Sequence, residues 1–143
     1  MDLDLPLASL FAGWAMADEL SRRLAAEGMD DLRFADGVLF QHLVEEPRTI
    51  GELAVRLEIS QQAASKAVAD LERRGYVTRA TDPDDARVRR VALTARGEAA
   101  IEADLGARLG ERRIAAARRL LNETVSALGA DAPVRGRRVL PPS

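Results

Sequence analysis

The sequence predicts a mainly α-helical chain with a small β wing, and three observations carry the expectation. The 143 residues are 47% hydrophobic but only 3% aromatic, with Ala and Leu dominant, a composition that favours helix. Apolar residues recur at helical spacing near both ends of the chain. Between them, Thr49 to Thr94 reads as a short helix, a tight turn, a second helix and two strands around a charged tip. A chain of this length can bury one real core but not two independent ones, so residues 1–143 are expected to form a single domain.

The N-terminal helix is expected over residues 3–24, where Leu3, Leu7, Leu10, Phe11, Trp14, Ala17, Leu20 and Leu24 follow helical spacing. A second amphipathic segment runs from Phe34 to Val44. Glu45-Glu46-Pro47 marks its end, because a residue before Pro avoids helical backbone. Thr49-Ile50-Gly51-Glu52 then has the form of a capping box, a hydroxyl at the cap and a carboxylate three residues on. Ile50, Leu53, Ala54 and Leu57 follow as one apolar stripe. Glu58-Ile59 turns the chain, and Ser60 caps the next helix. That helix should run to about Arg74, with Gly75 supplying a left-handed stop.

This second helix of the pair has two faces. Ala64, Ala67, Val68 and Leu71 share one side. Gln62, Lys66, Ala69 and Arg73 share the other, flanked by Ser65 and Gln61. The outward stripe holds amides, a hydroxyl and cations but no carboxylate. Gln can read adenine edges, while Lys and Arg serve guanine or phosphate. A solvated helix face is the plain alternative. A capped helix and a short turn in front favour the DNA reading, because two helices so related can place the second in a groove.

Tyr76 to Thr81 and Val88 to Leu93 are the expected strands. Asp82 and Pro83 between them favour a type I turn. Arg87, Arg89 and Arg90 cluster past the tip, where a cation suits a narrow minor groove. The alternative is a hairpin charged for solubility. Asp85 is placed to hold Arg87 by an ion pair.

Thr94 can cap a long helical stretch reaching about Leu128, with a bend or break expected near 106–112 at Gly106 and Gly110. Ile114, Ala117, Leu120, Leu121, Val125 and Leu128 carry its last apolar face. The end helices hold more apolar surface than a small core can cover. A second chain could bury it, or one chain could fold its own ends together. Residues 130–143 read as an irregular tail. Its Arg135, Arg137 and Arg138 could touch phosphates or acidic residues, or lie solvated.

The net charge of −2 is unevenly spread. Residues 1–47 hold 3 basic and 10 acidic residues, residues 48–96 hold 10 and 7, and residues 97–143 hold 8 and 6. The basic excess therefore falls on the helix-turn-helix and hairpin. Without Cys there can be no disulfide, Cys-based zinc site or thiol sensor. No apolar run approaches the ~18 residues of a membrane span and no signal peptide is evident, so a cytoplasmic protein is expected, with no membrane partner. A single His, His42, excludes a Cys/His dyad and a His-rich metal site. Asp82, Asp84 and Asp85 lack the glycine and distal Glu of a calcium loop. No Gly-rich phosphate loop is present. No enzyme, catalytic residue, metal or cofactor is expected.

Several motifs recur here in a specific order. They are Gly51-Glu52-Leu53-Ala54, Ile59-Ser60-Gln61-Gln62-Ala63-Ala64-Ser65-Lys66, Leu71-Glu72-Arg73-Arg74-Gly75-Tyr76-Val77, Asp82-Pro83-Asp84-Asp85-Ala86-Arg87 and Val91-Ala92-Leu93-Thr94-Ala95-Arg96-Gly97. Through them residues 51–97 resemble the winged-helix core of the MarR family of bacterial transcriptional regulators. The resemblance implies a winged helix-turn-helix core (48–97) flanked by N- and C-terminal dimerisation helices (3–27 and 98–129). It further implies a homodimeric, ligand-responsive repressor on a pseudo-palindromic operator in double-stranded DNA. Ser60, Gln61, Gln62, Ser65, Lys66, Arg73, Arg87, Arg89 and Arg90 are then the expected DNA contacts. A small aromatic or anionic effector would bind near Phe11, Trp14, Phe40 and His42, although core packing accounts equally for the aromatics. The alternative function is a winged-helix protein-docking module without DNA binding.

Overall fold

The computed structural model describes residues 2–101 and 109–129. In chain order the elements are α1 (Leu5–Ala26), α2 (Phe34–Gln41), α3 (Ile50–Arg56), α4 (Gln61–Arg73), β1 (Val77–Thr81), β2 (Arg89–Leu93), α5 (Ala95–Ile101) and α6 (Glu111–Ala127). The architecture is the mainly helical one expected, with a two-stranded antiparallel wing.

Local chemistry sets most of the boundaries. Asp4 starts α1 by accepting the Leu7 amide at 3.0 Å, with Pro6 in the first turn. Thr49 and Glu52 form the reciprocal box that opens α3, at 3.1 and 2.8 Å. Ser60 caps α4 through the Ala63 amide at 3.1 Å. Three helices end in the same paired bonds around a left-handed residue. Gly28 ends α1 and Gly75 ends α4, where Met29 and Tyr76 donate back to Leu24 and Leu71. In α3 the left-handed residue is Glu58, at φ 53, and Ile59 donates back to Ala54. That conformation makes the tight turn between α3 and α4.

The α2 helix stops at Gln41, short of the expected Val44. His42 and Leu43 bond the carbonyls three residues back, which tightens the last turn. The His42 carbonyl would serve residue 46 in a continuing helix. Arg48 takes it instead, donating from Nε at 2.7 Å. Arg48 also extends the wing: its backbone exchanges bonds of 3.0 and 2.7 Å with Val91 beside β2. The strands pair from Val77↔Leu93 to Thr81↔Arg89.

The core lies where α2, α3, α4 and the sheet meet. Leu39, Phe40, Leu43, Leu53, Leu57, Val68, Leu71, Tyr76, Val77 and Val91 are buried there, with Leu24, Met29 and Ala100 completing it. Thr94 locks α5 onto this core. Its hydroxyl donates to the Gly75 carbonyl at 2.6 Å and accepts from the Gly97 amide at 3.1 Å.

The expected break is present at Gly110, whose φ of +86 precedes the start of α6. Gly106 lies outside the described residues, as do residues 130–143 with Arg135, Arg137 and Arg138. No residue of α6 is buried, and Leu120, Leu121 and Leu128 are exposed. Leu7, Leu10, Phe11 and Trp14 on α1 are exposed too. Among the described residues no helix is long and apolar enough to cross a membrane.

Candidate nucleic-acid interface

The two faces of α4 separate as their spacing requires. Ala64, Val68 and Leu71 are buried, and the helix packs mainly on α3 and β1. Ser60, Gln61, Gln62, Lys66, Ala69 and Arg73 are exposed, and Ser65 is half-buried. The first turn carries no acidic side chain. The partial positive charge of the helix N-terminus therefore adds to the exposed amides rather than being cancelled. Small Ala69 leaves the middle of the stripe open to close approach.

Toward its C-terminal end the stripe is less cationic than the linear pattern suggests. Arg73 is bound by Asp70, which also takes bonds from Arg33 at 3.1 Å and Arg74 at 2.7 Å. The Arg74 hydrogen bond, aided by the charges of Arg74, Arg73 and Arg33, holds the Asp70 carboxyl below the usual range. Glu72 pairs with Arg79 of β1 at 2.9 Å. The free cationic character of α4 is thus concentrated at Lys66.

The wing turn is built by Asp82. Its Oδ1 accepts the amides of Asp84 at 2.7 Å and Asp85 at 3.2 Å. Arg87 stands at the tip with its side chain 91% exposed, braced by Asp85 at 3.2 Å. Asp85 is the brace the spacing suggested. Arg89 and Arg90 part company because successive strand residues face opposite sides. Arg89 is exposed and reaches the Arg79 carbonyl at 3.3 Å. Arg90 turns inward to bind Asp82, Glu52 at 3.2 Å and the Pro47 carbonyl at 3.5 Å. The arginine run is therefore not one patch: Arg90 ties the wing to the start of α3.

These bonds depress three carboxyls. Asp82 is lowered chiefly by Arg90 and then by the Asp84 amide, Asp85 chiefly by the Arg87 side chain, and Glu52 chiefly by the Thr49 backbone. A depressed folded pKa stabilises above the unfolded value and is lost as pH falls through the folded one. The wing should hold its shape at pH 5. It should loosen only below about pH 4, the ordinary carboxylate range. The carboxyl NMR titration of Asp82, read beside the backbone amide signals of Asp84 and Arg87, checks this. An Asp82 carboxyl with an ordinary midpoint would mean that the Arg90 tie does not form in solution.

The four residues expected around an effector do not share one environment. Phe11 and Trp14 form an edge-to-face pair at 5.4 Å on α1, 50% and 57% exposed. Phe40 is 2% exposed and packs 5.9 Å from Tyr76 in the core. Core packing is thus the role the structure gives Phe40. His42 is half-buried at the end of α2; burial lowers its pKa, and the charges of Arg56 and Arg48 add to this.

Sequence reasoning overlooked Arg48, which has no local signal, since its partner Val91 is distant in the chain. It also overlooked Asp31, Asp36, Arg74 and Arg96, which meet only after folding.

A sequence model of the MarR family matches residues 31–88, from the approach to α2 to the start of β2. No curated protein sequence matches the chain. Solved structures do. A MarR-like transcriptional regulator of Thermotoga maritima is 24% identical, with a TM-score of 0.58 over 90% of this chain and 99% of that one. The MepR–DNA complex of S. aureus is 19% identical, with a TM-score of 0.57 over 85% and 98%. FabT of Streptococcus pneumoniae, also solved with DNA, is 21% identical, with a TM-score of 0.56 over 87% and 86%. At these identities the likeness establishes a shared winged-helix fold.

Proposed function

Residues 31–88 belong to the MarR family, and on that premise we propose that the chain is a sequence-specific transcriptional regulator of double-stranded DNA. It acts as a homodimeric repressor on a pseudo-palindromic operator. The observation that carries this is the acid-free first half of α4, with exposed Gln61, Gln62 and Lys66 and half-buried Ser65 opposite the face that buries Ala64, Val68 and Leu71. Two such helices in a dimer enter successive major grooves roughly 34 Å apart. Arg87 of each wing, with Arg89 behind it, reaches the flanks, while Ser60 and Arg73 frame α4. The DNA complexes of MepR and FabT support the same use of the fold.

Binding to duplex DNA should weaken steeply as salt rises, since cations on DNA release counterions. Titrations at several salt concentrations test it. Absent or salt-independent binding would leave the docking-module function as the better account.

The exposed apolar residues of α1 and α6 support the homodimer. Sedimentation equilibrium at micromolar concentration should return twice the 15.5 kDa chain mass. A single species at chain mass would sink the two-headed mechanism. A small aromatic or anionic effector would act by favouring a dimer whose head spacing mismatches the operator. It would bind between the paired helices and the reading heads, near Phe11, Trp14, Phe40 and His42, and a thermal-shift screen of such compounds tests the idea.

A further inference from the structure

Asp36, the third residue of α2, is only 1% exposed. Its carboxylate accepts from the Arg33 amide at 3.0 Å and from the Arg74 guanidinium at 3.0 Å. Arg74 is the C-cap of α4, and its side chain is turned away from solvent. One guanidinium there joins three places in the fold. It reaches Asp36 in α2, the Asp31 carbonyl before α2 at 3.0 Å, and Asp70 in α4 at 2.7 Å. Tyr76, just past Gly75, extends the cluster. Its hydroxyl donates to the Asp31 carboxylate and accepts from Arg96 at 3.2 Å. Arg96 also reaches the Gly28 carbonyl at 3.0 Å. The guanidinium carbons of Arg74 and Arg96 lie 5.7 and 4.8 Å from the Tyr76 ring centre.

The cluster thus fastens the C-terminal end of α4 to the α1–α2 connection and to α2. The opposite half of α4 carries Gln62, Ser65 and Lys66. Apolar packing against α3 is non-directional and tolerates a small change of tilt. A planar five-donor fork held by three partners does not. A buried ion pair adds little net stability compared with an apolar replacement, so its distinctive contribution here is geometric.

We propose that Asp36 and Arg74 are positioning residues that set the angle at which α4 presents its exposed stripe, without touching DNA themselves. This rests on the DNA-binding function proposed above. The probe is the duplex that the wild-type chain enriches from a random-sequence pool, set against a scrambled duplex of equal composition. Asp36→Asn keeps an acceptor for the Arg33 amide but removes the charge. Arg74→Lys keeps the charge but removes the fork. At temperatures well below melting, verified by circular dichroism, each should bind the enriched duplex about tenfold more weakly. Binding to the scrambled duplex should be unchanged, as should the salt slope, because no phosphate contact is removed.

A merely structural cluster would lower the melting temperature and leave the ratio of the two affinities intact. An unchanged ratio in folded variants therefore overturns the proposal. If Asp36→Asn does not fold, Arg74→Lys carries the test; failure of both to fold assigns the cluster to stability and overturns it as well. A wild-type chain that enriches no duplex would overturn the DNA-binding function first, and the positioning role with it.

Discussion

Gly97→Ala is expected to destabilise the protein by at least the upper end of the about 1–3 kcal/mol typical of overpacking. A Cβ at Gly97 would sit 2.2 Å from the Tyr76 carbonyl oxygen and 3.0 Å from a Leu93 methyl. The first of these is backbone and cannot swing aside. That carbonyl accepts the Thr94 amide at 3.0 Å, and Thr94 in turn caps the turn containing Gly97. Relief of the clash must therefore pull α5 off the β1–β2 junction. Gly37→Ala is the contrast. A Cβ there meets nothing within 4 Å inside α2, so it should stabilise by about 0.5–1 kcal/mol. Urea unfolding of both variants gives the comparison. A Gly97→Ala midpoint equal to wild type would mean that α5 does not approach Tyr76 this closely.

The second large effect is expected on DNA. Gln62→Ala should cost about 1–3 kcal/mol on the preferred operator and relax its sequence preference, if its bidentate amide reads a base edge. Arg87→Ala should act differently. Its guanidinium stands free at the wing tip apart from Asp85, so its loss should weaken binding evenly across sequences. The log–log salt slope should flatten by about one unit if a phosphate contact is lost. A loss concentrated on narrow A-tract flanks would place Arg87 in the minor groove instead. Neither side chain belongs to the core, so both variants should fold as wild type by circular dichroism. Wild-type affinity in both, on a verified operator, would mean that the exposed stripe of α4 is not the DNA-contacting surface.

The asymmetry between Arg87 and Arg90 shows where sequence reasoning reached its limit. Both lie in one basic run, and both look available to DNA. The Arg87–Asp85 contact spans two residues and could be anticipated from the turn. The Arg90–Glu52 contact spans 38 residues and joins the wing to a helix cap. Nothing near Arg90 in the sequence announces Glu52. The same holds for Asp36–Arg74, again 38 residues apart, and for Tyr76–Asp31, 45 apart. Phe40 illustrates the point for apolar groups. Helical spacing placed it on an apolar face, but its burial against Tyr76 depends on a residue distant in the chain.

What the sequence by itself determined were the features whose physics is local. Thr49 with Glu52, Ser60 and Gly75 satisfy orphan backbone groups within about one helical turn, so the helix-turn-helix boundaries could be read directly. The apolar period then assigned the buried and exposed faces of α4. Tertiary structure alone decided the early end of α2, the use of Arg48 as an extra partner for β2, and which arginines remain free. Those outcomes depend on desolvation and on partners distant in the chain. A charge's fate follows from what packing places beside it, and packing is a property of the whole fold.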